Sequence, residues 1–195
     1  MKMISVPNAI ELGVKTYSNE YEDAITVLWK HNTQITPEIN ILSFFIAQAV
    51  QESRFDSKAV SPAGAVGIAQ FMKPTAEQMA KELKPKLALF KDGFDRENPV
   101  QSIWAQVYYM NKLFKVWDLG RADNERLKLA FASYNAGIRN ILKAQKKSGN
   151  KKFWNEIKLS LSSVTGKNSI ETITYVDNIF KYAADVEKFS RGEKS

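Results

Sequence analysis

The sequence predicts a mainly α-helical domain with at most a small β-hairpin, on three observations. Residues 41–50 read ILSFFIAQAV and are apolar almost all the way round, as in a helix buried in a core. After Asn98-Pro99, the residues Val100, Ile103, Trp104, Val107, Tyr108, Phe114 and Trp117 recur at helical spacing. Near the C-terminus, Ile173, Val176, Ile179, Phe180, Ala183 and Val186 do the same. No apolar run is long enough to cross a bilayer as a helix.

Taken in order, residues 1–17 show weak periodicity and read as a short helix or arm. Ser18 or Asn19 would cap a helix over Glu20–His31, with Tyr21, Ala24, Ile25 and Leu28 on its apolar face. Thr36-Pro37-Glu38 reads as a cap followed by proline at the first helical position. Ser61-Pro62-Ala63-Gly64 is turn chemistry. Gly64 and Gly67 allow close backbone approach, either to the chain itself or to a ligand. Thr75 with Gln78 suggests a capping box opening a helix to about Leu83. Lys91–Glu97 is a polar link, after which Asn98 caps and Pro99 begins a helix. Asp123 or Asn124 opens another helix, stopped at Tyr134-Asn135-Ala136-Gly137. A basic helix over Ile138–Lys147 and a short one through Phe153, Ile157 and Leu161 come next. The final helix spans about Ile170–Phe189.

A length of 195 residues with 44% hydrophobic and 25% charged residues suits one soluble domain. The expected organisation is an N-terminal helical arm (1–36) packed on a domain over 37–189, with a disordered tail at 190–195. Cysteine is absent, which excludes disulfides, thiolate metal sites and a cysteine nucleophile. His31 is the only histidine, so no histidine metal cluster exists and a Ser-His-Asp triad is disfavoured. No metal or cofactor is expected. A formal charge of +7 favours polyanionic surroundings, an anionic cell envelope or nucleic acid, or serves solubility alone. The KKSGNKK stretch is the strongest cue for nucleic acid. No helix-turn-helix or zinc-finger pattern accompanies it, so it reads as a solvated basic loop and no nucleic-acid partner is expected.

Glu52 is the residue with chemical promise. At about 100° per residue it falls beside Phe45 and Ala49, at the edge of the strongest apolar stripe. A carboxyl group there loses hydration and its pKa should rise, as a general acid near neutral pH requires. The plain alternative is a solvated helix-end glutamate, or one paired with Arg54.

Three motifs carry a resemblance. Glu52, Ser53, Phe55, Ala59, Ser61, Pro62, Gly64, Ala65, Gly67, Gln70, Met72, Thr75 and Ala76 fit one spaced signature; Ala132 with Tyr134–Gly137 fits a second; Glu171-Thr172 with Tyr175-Val176 fits a third. In this order they resemble the soluble lytic transglycosylase domain, of the lysozyme-like superfamily. One departure is that Lys73 stands where such domains commonly have proline, which here is Pro74.

The resemblance implies a goose-type-lysozyme-like helical fold and peptidoglycan glycan strands as partner. Glu52 would be the catalytic acid and then base, cleaving between N-acetylmuramic acid and N-acetylglucosamine and leaving a 1,6-anhydro ring. Ser61, Gln70, Met72, Tyr134, Asn135, Glu171 and Tyr175 would bind substrate. Two rivals remain: a hydrolytic muramidase with Asp56 as base, and a non-catalytic wall-binding or virion domain. The sequence shows no recognisable export signal. With a substrate outside the cytoplasm, that suggests phage lysis, virion carriage, delivery by a secretion machine, or a signal missing from the chain. A monomer is expected.

Overall fold

The computed structural model describes residues 4–29, 39–118 and 120–193. His31 and the Thr36-Pro37-Glu38 cap lie outside the described residues. The described elements are helical throughout, apart from single antiparallel bridges of Val66 with Val60 and with Phe71. Contacts divide the chain into two compact units. One is built from the described parts of Met1–His31, Asn40–Tyr109 and Lys181–Ser195. The other comes from the described parts of Asn32–Ile39 and Met110–Phe180.

The first unit is organised on α3 (Ile41–Ser53), which has nine buried residues, including Phe44, Phe45, Ile46 and Val50. Asn40 caps it, accepting from the Ser43 amide at 3.4 Å. Before it come α1 (Val6–Leu12), capped by Ser5, a π-helical turn (Gly13–Tyr17) and α2 (Ser18–Leu28). The expected Ser18 or Asn19 cap is not used. The helical backbone runs straight on from the π-turn, so Ser18 is already the first residue of α2 and no helix end needs capping there.

These segments pack directly on α3 and the turn after it. Tyr17 stacks on Phe55 and Tyr21 on Phe45, while Trp29 meets Phe45 edge-on. A Cβ on Gly13 would lie 2.5 Å from the Phe55 ring, so only glycine lets the π-turn come this close. A buried polar chain crosses this core. The Tyr21 hydroxyl donates to Gln106 Oε1 at 2.8 Å, and Gln106 Nε2 donates to Gln48 Oε1 at 2.9 Å. Burial, and secondarily the nearby Tyr17, raise the Tyr21 pKa well above its usual value, so the phenol stays a neutral donor.

Helix α4 (Lys73–Leu83) opens three residues earlier than the capping box implied. Met72 is the N-cap with no side-chain bond, and proline lies in the first two helical positions. Its preset φ starts the helix without Thr75. Helix α5 (Pro99–Val116) begins as expected, Asn98 Oδ1 accepting from the Gln101 amide at 3.2 Å.

The second unit holds residues 110–116 of α5, then α6 (Asp123–Ala136), α7 (Ile138–Lys147), α8 (Trp154–Ile157), α9 (Ser162–Thr165) and residues 168–180 of α10 (Asn168–Ser190). Trp117, Leu127, Phe131, Ile141, Trp154 and Leu161 are buried at its centre. The Trp117 indole donates to Ser133 Oγ at 3.0 Å, and Ser133 donates to the Leu129 carbonyl at 2.7 Å. Phe153, the first of the three apolar residues that marked this short helix, is 56% exposed, and its neighbour Trp154 is buried. The Trp154 amide donates to Glu125 at 2.6 Å, which starts α8 one residue later and turns Phe153 outward. At the C-terminal end, Ser190 closes α10, and Arg191 and Glu193 pair at 2.7 Å in the turn beyond it.

Removing the Tyr21 hydroxyl (Tyr21→Phe) leaves a buried Gln106 oxygen without its donor. The expected cost is about 1–3 kcal/mol of unfolding free energy in denaturant titration, with the m-value unchanged.

Candidate active site

Glu52 occupies the last turn of α3, where the helix passes from buried to partly accessible positions, and is half-buried. The backbone immediately after it is unusual. Arg54 caps the helix in the left-handed region (φ 54°), and Phe55 repeats that conformation (φ 63°). Two consecutive non-glycine residues with positive φ are costly and persist only where surrounding contacts impose them. Those contacts are visible: Phe55 is buried under Tyr17 and Gly13, and Arg54 Nη1 donates to the Ile4 carbonyl. The chain therefore turns sharply beside the carboxylate instead of continuing as helix.

The loop from Ala59 to Phe71 is tied back to this turn. Buried Ser53 donates its hydroxyl to the Ile68 carbonyl at 2.9 Å, and the Gly67 amide donates to the Ala59 carbonyl at 2.9 Å. Of the two loop glycines, Gly67 makes the close approach. A Cβ there would sit 1.8 Å from the Arg96 carbonyl oxygen, and its φ is +81°. Gly64 has open space around its Cβ position, so it serves the turn through its φ of +86° alone.

Arg96 holds the loop from outside. Its Nη1 donates to the carbonyls of Gly64 (3.0 Å) and Phe71 (2.9 Å), and its own carbonyl accepts from Ser102 Oγ (3.0 Å). Sequence reasoning placed Arg96 in a polar link and missed this role. The only hint was Gly67, whose close approach had to be to something.

Each candidate binding residue of the first unit has a defined setting. Ser61 Oγ accepts from the Ala65 amide at 3.0 Å, which leaves its hydroxyl proton free for another acceptor. Gln70 is itself left-handed (φ 48°), and its Nε2 donates to the carbonyls of Ala59 (3.2 Å) and Gly67 (2.8 Å). Its amide nitrogen is thus a loop strut, and recognition would fall to its oxygen. Met72 is exposed at the loop's end. Asp56 accepts from the Lys58 amide through Oδ1 at 2.9 Å, a local turn.

In the second unit, Tyr134 and Asn135 end α6, and Glu171 and Tyr175 lie on α10. Asn135 links the two helices. Its Nδ2 donates to Glu171 Oε1 at 3.3 Å, and its Oδ1 accepts from buried Thr172 at 2.7 Å. Thr172 belongs to the third motif without an expected role, yet it sets the orientation of the Asn135 amide. With Asn140, Thr165 and Asn168, these residues line a polar pocket of about 260 Å³. Glu171 faces solvent, Tyr134 is half-buried and Tyr175 is buried. Among the described residues, no group of three or more histidine or acidic side chains is placed to hold a metal ion.

An α-helical fold with a glutamate at the end of a buried helix is the class these features define. The chain is similar in fold to the 70 kDa soluble lytic transglycosylase from Escherichia coli. The TM-score is 0.61 at 22% identity, over 91% of this chain and 25% of that one. The Transglycosylase SLT domain profile matches residues 33–157, and the chain belongs to that family. It is 27% identical over 158 residues to the membrane-bound lytic murein transglycosylase F of Pectobacterium atrosepticum, covering 73% of this chain. It is 29% identical over 164 residues to the protein of the same name from Haemophilus influenzae, covering 76% of this chain. The matched regions span 30% and 32% of those relatives.

Gly67→Ala puts a Cβ against the Arg96 carbonyl and forces a strained φ. A loss of about 2–4 kcal/mol is expected in chemical denaturation. Thr172→Val removes the donor to Asn135 Oδ1 and is expected to leave the circular dichroism spectrum unchanged while the Asn135 side-chain amide resonances shift and broaden in an NMR spectrum, because the amide is freed to rotate.

Proposed function

We propose that this protein is a peptidoglycan lytic transglycosylase in which Glu52 acts first as acid and then as base. The observation that carries this reading is the placement of Glu52. It is a half-buried carboxyl at the end of a buried helix, beside a backbone turn held in two consecutive left-handed residues. Family membership and the names of the relatives support the reaction class.

In the reaction, protonated Glu52 gives its proton to the oxygen joining N-acetylmuramic acid to N-acetylglucosamine, and the C1–O bond breaks. The oxocarbenium-like centre is steadied by the substrate's own N-acetyl group. The Glu52 carboxylate then takes the proton of the muramyl 6-hydroxyl, whose oxygen bonds to C1 and closes the anhydro ring. Acid and base are one residue, no water is consumed, and Glu52 returns to its starting state.

Glycosidases that hydrolyse generally need a second carboxylate. Asp56 is the candidate for it, and its bond to the Lys58 amide supports a structural role instead. Ser61, Gln70 and Met72 would contact sugar from the first unit. Taken by itself, the second unit offers Asn135 and Glu171 as a donor and an acceptor for acetamido or hydroxyl groups, and Tyr134 and Tyr175 remain candidate contacts. The setting would be the cell envelope, where the glycan lies. Phage lysis, carriage on a virion, delivery by a secretion machine or an export signal outside this sequence are routes that would bring the enzyme there.

Glu52→Gln is expected to retain the wild-type circular dichroism spectrum and wall binding while losing about 10²–10⁴-fold of the rate. Mass spectrometry of digested wall should show anhydromuramyl ends. Reducing muramic ends would instead assign a hydrolase, and unchanged lysis by the variant would remove Glu52 as the acid.

A further inference from the structure

The net charge of the chain is concentrated in one place. Residues 138–167 hold eight of the 28 lysines and arginines and one of the 21 acidic residues. These thirty residues therefore account for the whole formal charge of +7, and the rest of the chain is balanced. All of them belong to the second unit.

Helix α7 displays this charge as a surface. Its buried face is Ile141 and Ala144, and Arg139, Leu142, Lys143, Lys146 and Lys147 are exposed along the other side. Lys143, Lys146 and Lys147 line an open depression of about 590 Å³ with Ser163 and Val164. Lys147 Nζ donates to the Ser163 carbonyl at 3.1 Å, fixing one wall. The only acid of the segment, Glu156, is paired with Lys151 at 3.3 Å. Among the described residues, no carboxylate bridges Lys143, Lys146 or Lys147.

Protruding apolar side chains come from the same segment: Leu159 is 78% exposed, Phe153 56% and Leu142 43%. Lysines interspersed with exposed aliphatic and aromatic groups match a bilayer interface, where cations meet headgroup phosphates and apolar groups enter the acyl boundary. Seven of the eight cations are lysines, point charges without the planar fork suited to reading bases. A nucleic acid would also want aromatic platforms along the groove, and Phe153 is the only exposed large aromatic of this segment.

We propose that this face binds the surface of a bilayer rich in anionic phospholipid, with Lys143, Lys146 and Lys147 on the phosphates and Leu159 and Phe153 inserted between headgroups. The proposal is independent of the glycan chemistry assigned to Glu52.

Cosedimentation of the full chain with vesicles tests it. Binding is expected to phosphatidylglycerol-containing vesicles and not to pure phosphatidylcholine, and to weaken as salt is raised. The triple substitution Lys143→Glu, Lys146→Glu, Lys147→Glu should lower the partition coefficient by about 100-fold or more. Leu159→Ser with Phe153→Ser should remove the binding that survives at high salt. All five side chains are wholly or largely on the surface, and circular dichroism of each variant checks its fold. Equal binding to neutral vesicles, wild-type binding by the triple variant, or binding of duplex DNA with none to anionic vesicles would each overturn the proposal. Muropeptide release from soluble glycan strands should be unchanged in the triple variant, which separates this outcome from any failure of the glycan reading.

Discussion

The close approach of Gly67 to the Arg96 carbonyl is the constraint on which the candidate acid's surroundings depend. Because the loop is pinned there, the Ser53 hydroxyl can reach the Ile68 carbonyl and the helix carrying Glu52 is joined to the loop after it. From the other side, the π-turn presses Gly13 and Tyr17 onto Phe55. Those two clamps hold Arg54 and Phe55 in conformations that isolated residues avoid. A carboxyl group mounted on such a turn is positioned by packing on both sides, not by a flexible helix end.

The polar residues of the loop serve two ends at once. Gln70 and Ser61 use part of their hydrogen-bonding capacity to hold backbone and keep part free, so each is both strut and candidate contact. In the second unit, Asn135 is held by Thr172 and turned toward Glu171, so that a donor and an acceptor are fixed before any ligand arrives. Pre-set polar groups of this kind suit a sugar, which offers hydroxyls and amides at fixed spacings.

The net charge sits on one segment of the second unit. The lysines of α7 and the segment after it are set apart from the near-neutral remainder of the chain. A protein with evenly mixed surface charge would gain solubility from the same lysines. Their concentration in one stretch of chain that also carries exposed Leu159 and Phe153 suits a surface of opposite charge.

The helical class is legible in the sequence because apolar spacing is a local property. Residues 41–50, 100–117 and 173–186 can bury their apolar side chains efficiently only as helices. Glu52 is legible through the apolar stripe beside it and the spaced glycines and polar residues downstream, and the location of the charge is a matter of residue type alone. Cap residues are less so: at Ser18 and Thr75 a good capping side chain is present, but continuation from a π-turn and an early proline set the helix start instead. The order of Phe153 and Trp154 depends on the reach of Glu125, from another helix. Long-range packing alone makes Arg96 the brace of the loop, gives the close approach to Gly67 and not Gly64, and lets Thr172 orient Asn135. Each of these is a contact between residues distant in sequence or on different helices, and no local pattern states which partner will be met.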